Sequence, residues 1–250
     1  LVELSIVLVI LGLLVGGVLT GQALIRAAEL RSVVTQATAF QTAINAFRDK
    51  YFAIPGDMTN AQSFWGVAHA TPATCATTQG TGTQTCNGNG NGMVEFAAAG
   101  SNEAFRFWQH LVNAGLIEGS YSGITQGSTT YSVTAANAPA AKMNSSLWYT
   151  YHFGTISGVS WLFNGEYGNT ISLGRAMPND LPGATLFKNE ELWNIDVKLD
   201  DGKPATGKIL VRPASVLADC TDTSSNTNLN ANYLLSGTTP ACNPLFIRAY

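Results

Sequence analysis

The residues best placed to do chemistry are the alternating amides of Asn87-Gly-Asn-Gly-Asn-Gly92-Met-Val-Glu95. Side-chain oxygens at every second position, with glycine between, let a short backbone curl around a hard cation in the manner of the first half of a calcium loop. Asn87, Asn89, Asn91 and Glu95 would be the ligands. With amides where carboxylates are expected, and Glu95 too early to be the bidentate closing acid, such a loop would hold Ca²⁺ weakly, in the millimolar range of extracellular modules. The same residues also make a glycine-rich turn in which asparagine takes left-handed conformations, and the sequence leaves both readings open. Asp196, Asp200 and Asp201 are a second oxygen cluster. Helical spacing puts Asp196 and Asp200 on one face near Lys198 and Lys203, which suits a solvated face or helix-end contacts better than a metal.

The remaining polar residues point away from catalysis. His69, His110 and His152 are scattered without a ligand-type partner at helical spacing. No serine sits in a nucleophile-elbow setting, and no glycine motif for phosphate is present. The chain therefore reads as a non-enzyme. Its net charge of −3, with only 12% charged residues, provides no basic field for a nucleic-acid backbone and implies a surface that is polar without being ionic. Four cysteines fall into two local pairs, Cys75/Cys86 and Cys220/Cys242, each enclosing a Thr/Asn/Gly-rich loop. Disulfides in an oxidising compartment fit these pairs better than zinc, because neither has the close C-x₂-C spacing. Four cysteines still permit three connectivities, and buried free thiols are the alternative.

Glu3 is the one ionisable side chain from Leu1 to Ile25, in an apolar run long enough to cross a bilayer as a helix of about 20 residues. A carboxylate at the end of such a segment is expensive unless it has a partner or reaches the interface. Within a membrane, an ionic partner has to come from another molecule, and the α-amino group of a neighbouring copy is the natural candidate. The run lacks the basic start and small-residue cleavage site of a secretory signal. It opens as though a leader had already been removed.

LVELSIVLVILGLLVGG resembles the start of mature type IV pilins and type II secretion pseudopilins. The resemblance implies a leader cut before an N-methylated aromatic residue, two positions that would precede Leu1, and an assembly role for Glu3. Patches such as AIPGDMTNAQSFWG, EAFRFWQHLVNAGLIEGSY and LWNIDVKLDDGKPATGKI extend the likeness to a subgroup of pilin-like proteins. It further implies a ladle-shaped α+β fold, anchorage in the inner membrane as a single pass before assembly, an assembly machinery as partner, and then an extracellular filament on the bacterial surface. The leading function is a major structural pilin. The alternatives are a pseudopilin of a short secretion piston and a minor, adhesive pilin whose Trp148, Trp161 and Tyr167 contact a surface or sugar.

Three segments must arrange these residues. Residues 1–25 form an apolar helix for membrane or fibre core. Residues 26–54 continue it as an amphipathic half, with Leu30, Val33, Ala37, Phe40, Ile44, Phe47 and Tyr51 spaced 3-4-3-4-3-4 to make one stripe that packs on the chain's own head. Residues 55–250 form that head, an antiparallel sheet with extra loops and short helices. Gly12, Gly16, Gly17 and Gly21 let helices approach closely at a helix-propensity cost of roughly 1 kcal/mol each, which predicts stretching or melting near Gly16, Gly17 and Gly21 in the filament.

Within the head, a helix is expected from an N-cap at Ser101 to Gly115, with Glu103 and Glu118 off its core face, and another over 189–202. Strands are expected at 130–134, 146–153 and 159–164 as a meander, at KILVRP, and at PLFIRAY closing the sheet. The loop 221–240, dense in hydroxyls, suits O-glycans on a durable outer surface.

Overall fold

The computed structural model describes residues 2–96, 102–143 and 145–250. Helix α1 (Val2–Tyr51) runs unbroken for 50 residues, about 75 Å at 1.5 Å per residue. It ends where Phe52 turns to φ +51° and donates its N–H to Arg48 O at 2.8 Å. The turn Pro55-Gly56-Asp57 then reverses the chain. At Gly56 φ is +84° and a Cβ would stand 2.4 Å from Glu103 O, so this backbone crossing admits only glycine.

The head follows as α2 (Ala61–Trp65), α3 (Pro72–Cys75), α4 (Glu103–Asn113), β1 (Ser146–Ile156), β2 (Gly165–Arg175), α5 (Asn189–Leu199), β3 (Ile209–Pro213) and β4 (Cys242–Phe246), with a 3₁₀ turn at Leu217–Asp219. The four strands form one antiparallel sheet in the order β1-β2-β4-β3, and the class is α+β. One sheet face packs with α1 and α4 in a core that includes Phe40, Phe47, Trp108, Trp148 and Val211. The other covers a smaller cluster of Leu162, Tyr167, Leu210, Leu245 and Ile247.

Several elements differ from the sequence expectation. Residues 130–134 are not a strand: the buried Asn137 side chain accepts from Thr134 N at 2.8 Å and donates to Ser132 O at 2.9 Å, taking groups a ladder would need. Residues 159–164 form a turn closed by Asn164 Oδ1 accepting from Gly158 N, and the strand is the next segment, GEYGNTISLGR. Its glycines and polar residues hid it, although Tyr167, Ile171 and Leu173 are buried. The C-terminal strand does not close the sheet. It inserts between β2 and β3, and because Pro244 has no N–H, its ladder with β2 holds only Ile171↔Phe246 and Ser172↔Leu245. The Ser172 hydroxyl donates to Pro244 O at 2.8 Å.

Helix α4 is buried on every side. Glu103, expected off the core face, is fully enclosed and accepts from Asn89 N at 2.9 Å, because the Asn/Gly loop lies across it. Gly115 ends the helix as expected, at φ +71°. The expected N-cap, Ser101, lies outside the described residues.

Candidate assembly helix and the network of the head

From Val2 to Ile25 the side chains are exposed, with Leu13 73% and Val2 72% accessible. The most apolar stretch has a mean hydropathy of 2.6 and no part of it is buried. This is one helix long and apolar enough to cross a membrane, and nothing among the described residues covers it. Glu3 lies exposed in its first turn, where the unpaired N–H groups of a helix favour an anion. Gly12, Gly16, Gly17 and Gly21 are all helical, with nothing within 4 Å of an added Cβ. In the single chain the helix is therefore continuous over Gly16–Gly21, and the glycines clear no neighbour.

Past Ile25 the surroundings reverse. Val33, Phe40, Ala43, Ile44 and Phe47 are buried against the head, with Leu30, Ala37 and Tyr51 packed at the edge. Phe40 meets Trp108 and Trp148 edge-on at 5.1 and 5.3 Å. At the changeover Arg26 grips α5: Nε and one terminal nitrogen donate to the two oxygens of Glu191, each at 2.7 Å, and the same nitrogen donates to Leu186 O at 2.8 Å. Its other nitrogen reaches Glu29 at 3.0 Å. Burial pushes the Glu191 carboxyl up, but the bonds from Arg26 and from Lys188 N–H outweigh it and hold it below the usual carboxylate range. These are the ion pairs among the described residues, so the head is fastened to the rod where the apolar half begins.

The Asn/Gly loop is wrapped around a carboxylate. Gly90 N and Asn91 N donate to Asp57 Oδ1 at 2.6 and 3.1 Å, and Gly92 N to Oδ2 at 2.9 Å. The three asparagine oxygens expected as calcium ligands each accept a backbone N–H. Asn87 accepts from Gln62 N, Asn89 from Asn91 N and Asn91 from Met93 N, all at 2.8–2.9 Å. The last two are Asx turns. Glu95 is half-buried and offers its carbonyl to Ala104 N. The N–H groups of the loop thus converge on an anion. Burial raises the Asp57 carboxyl against the pull of those three donors. Asp57 was missed from sequence, where Pro-Gly-Asp reads only as a turn. Its signal was a lone acid facing a run of glycines able to form a nest of N–H groups.

His110 joins this turn to the disulfide loop. Its Nδ1 accepts from Gly56 N at 3.0 Å, and Nε2 lies 3.0 Å from Thr85 Oγ1. The Thr85 hydroxyl donates to Gln109 Oε1 at 2.7 Å, so the ring must donate from Nε2, and the imidazole is neutral. Full burial and the nearby Arg106 charge lower its pKa to about 3. Arg106, also buried, donates to Gln109 Oε1, Cys75 O and Thr78 O, and burial lowers it to about 10. Both local disulfides form: Cys75–Cys86 and Cys220–Cys242, with Cα separations of 5.9 and 5.6 Å.

Asp196, Asp200 and Asp201 bring one oxygen each within 4.8 Å of one another. Each is already used to shape the end of α5. Asp196 accepts from Tyr233 Oη at 2.7 Å and Gly202 N at 3.3 Å, Asp200 from Lys208 N and Ile209 N, and Asp201 from Lys203 N and Thr206 Oγ1. Burial, with its acidic neighbours, pushes Asp196 up to about 7 against the Tyr233 and Gly202 bonds. Of the aromatics considered for adhesion, Trp148 and Tyr167 are fully buried and Trp161 packs beside the second cluster.

Comparison with protein-family models, curated proteins and solved structures finds no match to this chain.

Proposed function

We propose that the chain is a structural subunit of a type IV pilin-like filament, ladle-shaped, with the apolar half of α1 as its handle. The observation that carries this reading is a helix exposed and almost uncharged from Val2 to Ile25, continuous with a second half sealed onto a folded head. Water does not tolerate such a rod. A bilayer does, and so does a bundle of identical rods, because in both the helix satisfies its own backbone and hides its side chains. Each Val, Leu or Ile fully withdrawn from water contributes about 1.5–3 kcal/mol, so a bundled handle gains on the order of tens of kcal/mol.

The subunit would rest in the inner membrane until assembly machinery moves it into the fibre without refolding. Glu3 would pair with a cationic group of the neighbouring copy as it leaves lipid. The charge-poor, disulfide-pinned head suits the outside of an extracellular fibre, which favours the pilus over a pseudopilin. Electron microscopy of sheared surface material, with mass spectrometry of the main band, tests this. Long fibres composed mostly of this chain are expected; finding it only in the envelope, with protein secretion lost on deletion, would replace the pilus with the pseudopilus.

A further inference from the structure

Asparagine followed by glycine is among the least durable pairs in a protein chain. The glycine nitrogen, with no side chain beside it, attacks the asparagine Cγ. Ammonia leaves as the new C–N bond forms, and water then opens the succinimide ring to aspartate or isoaspartate. Loop 87–92 places three such pairs in succession, Asn87-Gly88, Asn89-Gly90 and Asn91-Gly92. Asn89 and Asn91 are exposed to the water that the reaction consumes. Packing also forbids a larger residue in place of the glycine: at Gly88 a Cβ would stand 2.3 Å from the Asp57 carbonyl carbon, and at Gly92 φ is +83°.

All three attacking nitrogens are engaged. Gly88 N donates to Met58 O at 2.8 Å, Gly90 N to Asp57 Oδ1 at 2.6 Å and Gly92 N to Asp57 Oδ2 at 2.9 Å. To attack, a nitrogen must give up its proton and turn its lone pair out of the peptide plane toward Cγ. A carboxylate is far too weak a base to take an amide proton, and its negative charge beside Gly90 and Gly92 opposes formation of a second one there. The carboxamides of Asn89 and Asn91 are tied as well, because their carbonyls accept from Asn91 N and Met93 N at 2.8 Å. Ring closure at either residue therefore requires the carboxamide and the glycine N–H to be released together.

We propose that Asn89 and Asn91 are a modification site held shut by Asp57, and that loss of the Asp57 bonds converts them to aspartate or isoaspartate. The change does not reverse. Each event adds a carboxylate to a loop that already lies against Asp57 and the buried Glu103, and isoaspartate inserts an extra carbon into the backbone. Every group involved belongs to the head, so the chemistry is the same whether or not the chain assembles into fibres.

The test incubates the full chain in detergent and mildly alkaline buffer, folded or unfolded in urea, and follows conversion at Asn87, Asn89 and Asn91 by peptide mass spectrometry. In the wild type, Asn89 and Asn91 should convert at least tenfold more slowly when folded. Asp57→Ala removes the side-chain acceptor from Gly90 and Gly92 and should raise conversion at Asn89 and Asn91 at least tenfold. Asn87, whose glycine is held by Met58 O, should stay near its wild-type rate. Unchanged rates at Asn89 and Asn91 in the folded variant would overturn the lock, as would equal rates in folded and unfolded wild type. An equal rise at Asn87 would mean general loosening of the loop and would also count against it. If Asp57→Ala does not fold, Asp57→Asn, which keeps the shape and one accepting oxygen, carries the same test: a rise at Asn89 or Asn91 supports the lock and no rise at either sinks it.

Discussion

Along α1, side chains of one chemistry meet opposite surroundings: Leu13 is 73% accessible, whereas Ile44 on the same unbroken helix is fully buried. Backbone hydrogen bonds hold both halves helical, so helicity says nothing about where the side chains go. The first half is apolar all round and offers no preferred face. The second confines its apolar residues to one stripe, edged by Thr, Gln and charged residues, and the head closes over that stripe with Trp108 and Trp148. The difference teaches that a uniformly greasy helix must find its shelter outside the chain, while an amphipathic one specifies it within.

The comparison is broken most completely by removing one half. A chain lacking residues 1–25 should be a soluble monomer with an intact head and no capacity to form fibres, measured by sedimentation and electron microscopy. Insoluble or fibrous material would show that the head carries assembly by itself. Next in size, Phe40→Ala should destabilise that soluble head by about 4 kcal/mol through loss of a buried aromatic, whereas Leu13→Ala in the full chain should leave head unfolding within about 0.5 kcal/mol of wild type in detergent. Equal effects would erase the distinction between the halves.

At the junction, Arg26→Ala removes both guanidinium bonds to half-buried Glu191, leaving it only the Lys188 N–H, and should cost about 2 kcal/mol by denaturant titration. Arg26→Ala with Glu191→Leu should recover part of this. Glu3→Gln belongs to the other half: head stability and membrane insertion should be unchanged, and fibre yield should fall.

A pH-dependent effect sharpens the comparison inside the head. Asp196 titrates at about 7 when folded against an ordinary 3.8, so its contribution is complete below pH 4 and is lost as pH rises through 7. Asp196→Asn should therefore lose ground to wild type at pH 4 and regain it by pH 8. His110 runs the other way: with its pKa lowered to about 3, its contribution is present above pH 6.5 and fades as pH falls toward 3. A wild-type minus Asp196→Asn difference that is flat with pH would mean that this carboxyl is not withdrawn from water.

Much of the helical framework was legible because its signals are local. The 3-4 spacing from Leu30 to Tyr51, the Pro-Gly-Asp turn and Gly115 each act within a few residues of themselves. The strand at 165–175 was not, since its burial depends on β1 and β4 supplying neighbours for a segment rich in glycine. The enclosure of Glu103 was hidden for a similar reason: the loop that covers it comes from residues 87–92.

By itself the sequence determined the long helix, the division of that helix at Arg26, and the closeness of each cysteine pair, because periodicity, charge placement and short loop closure are properties of neighbouring residues. Only the tertiary structure decided that Asp57 would draw the Asn/Gly loop inward, that the last strand would insert in mid-sheet, and that Phe52 would stand uncovered. Those outcomes depend on which distant groups meet, and that is fixed by the packing of the whole head.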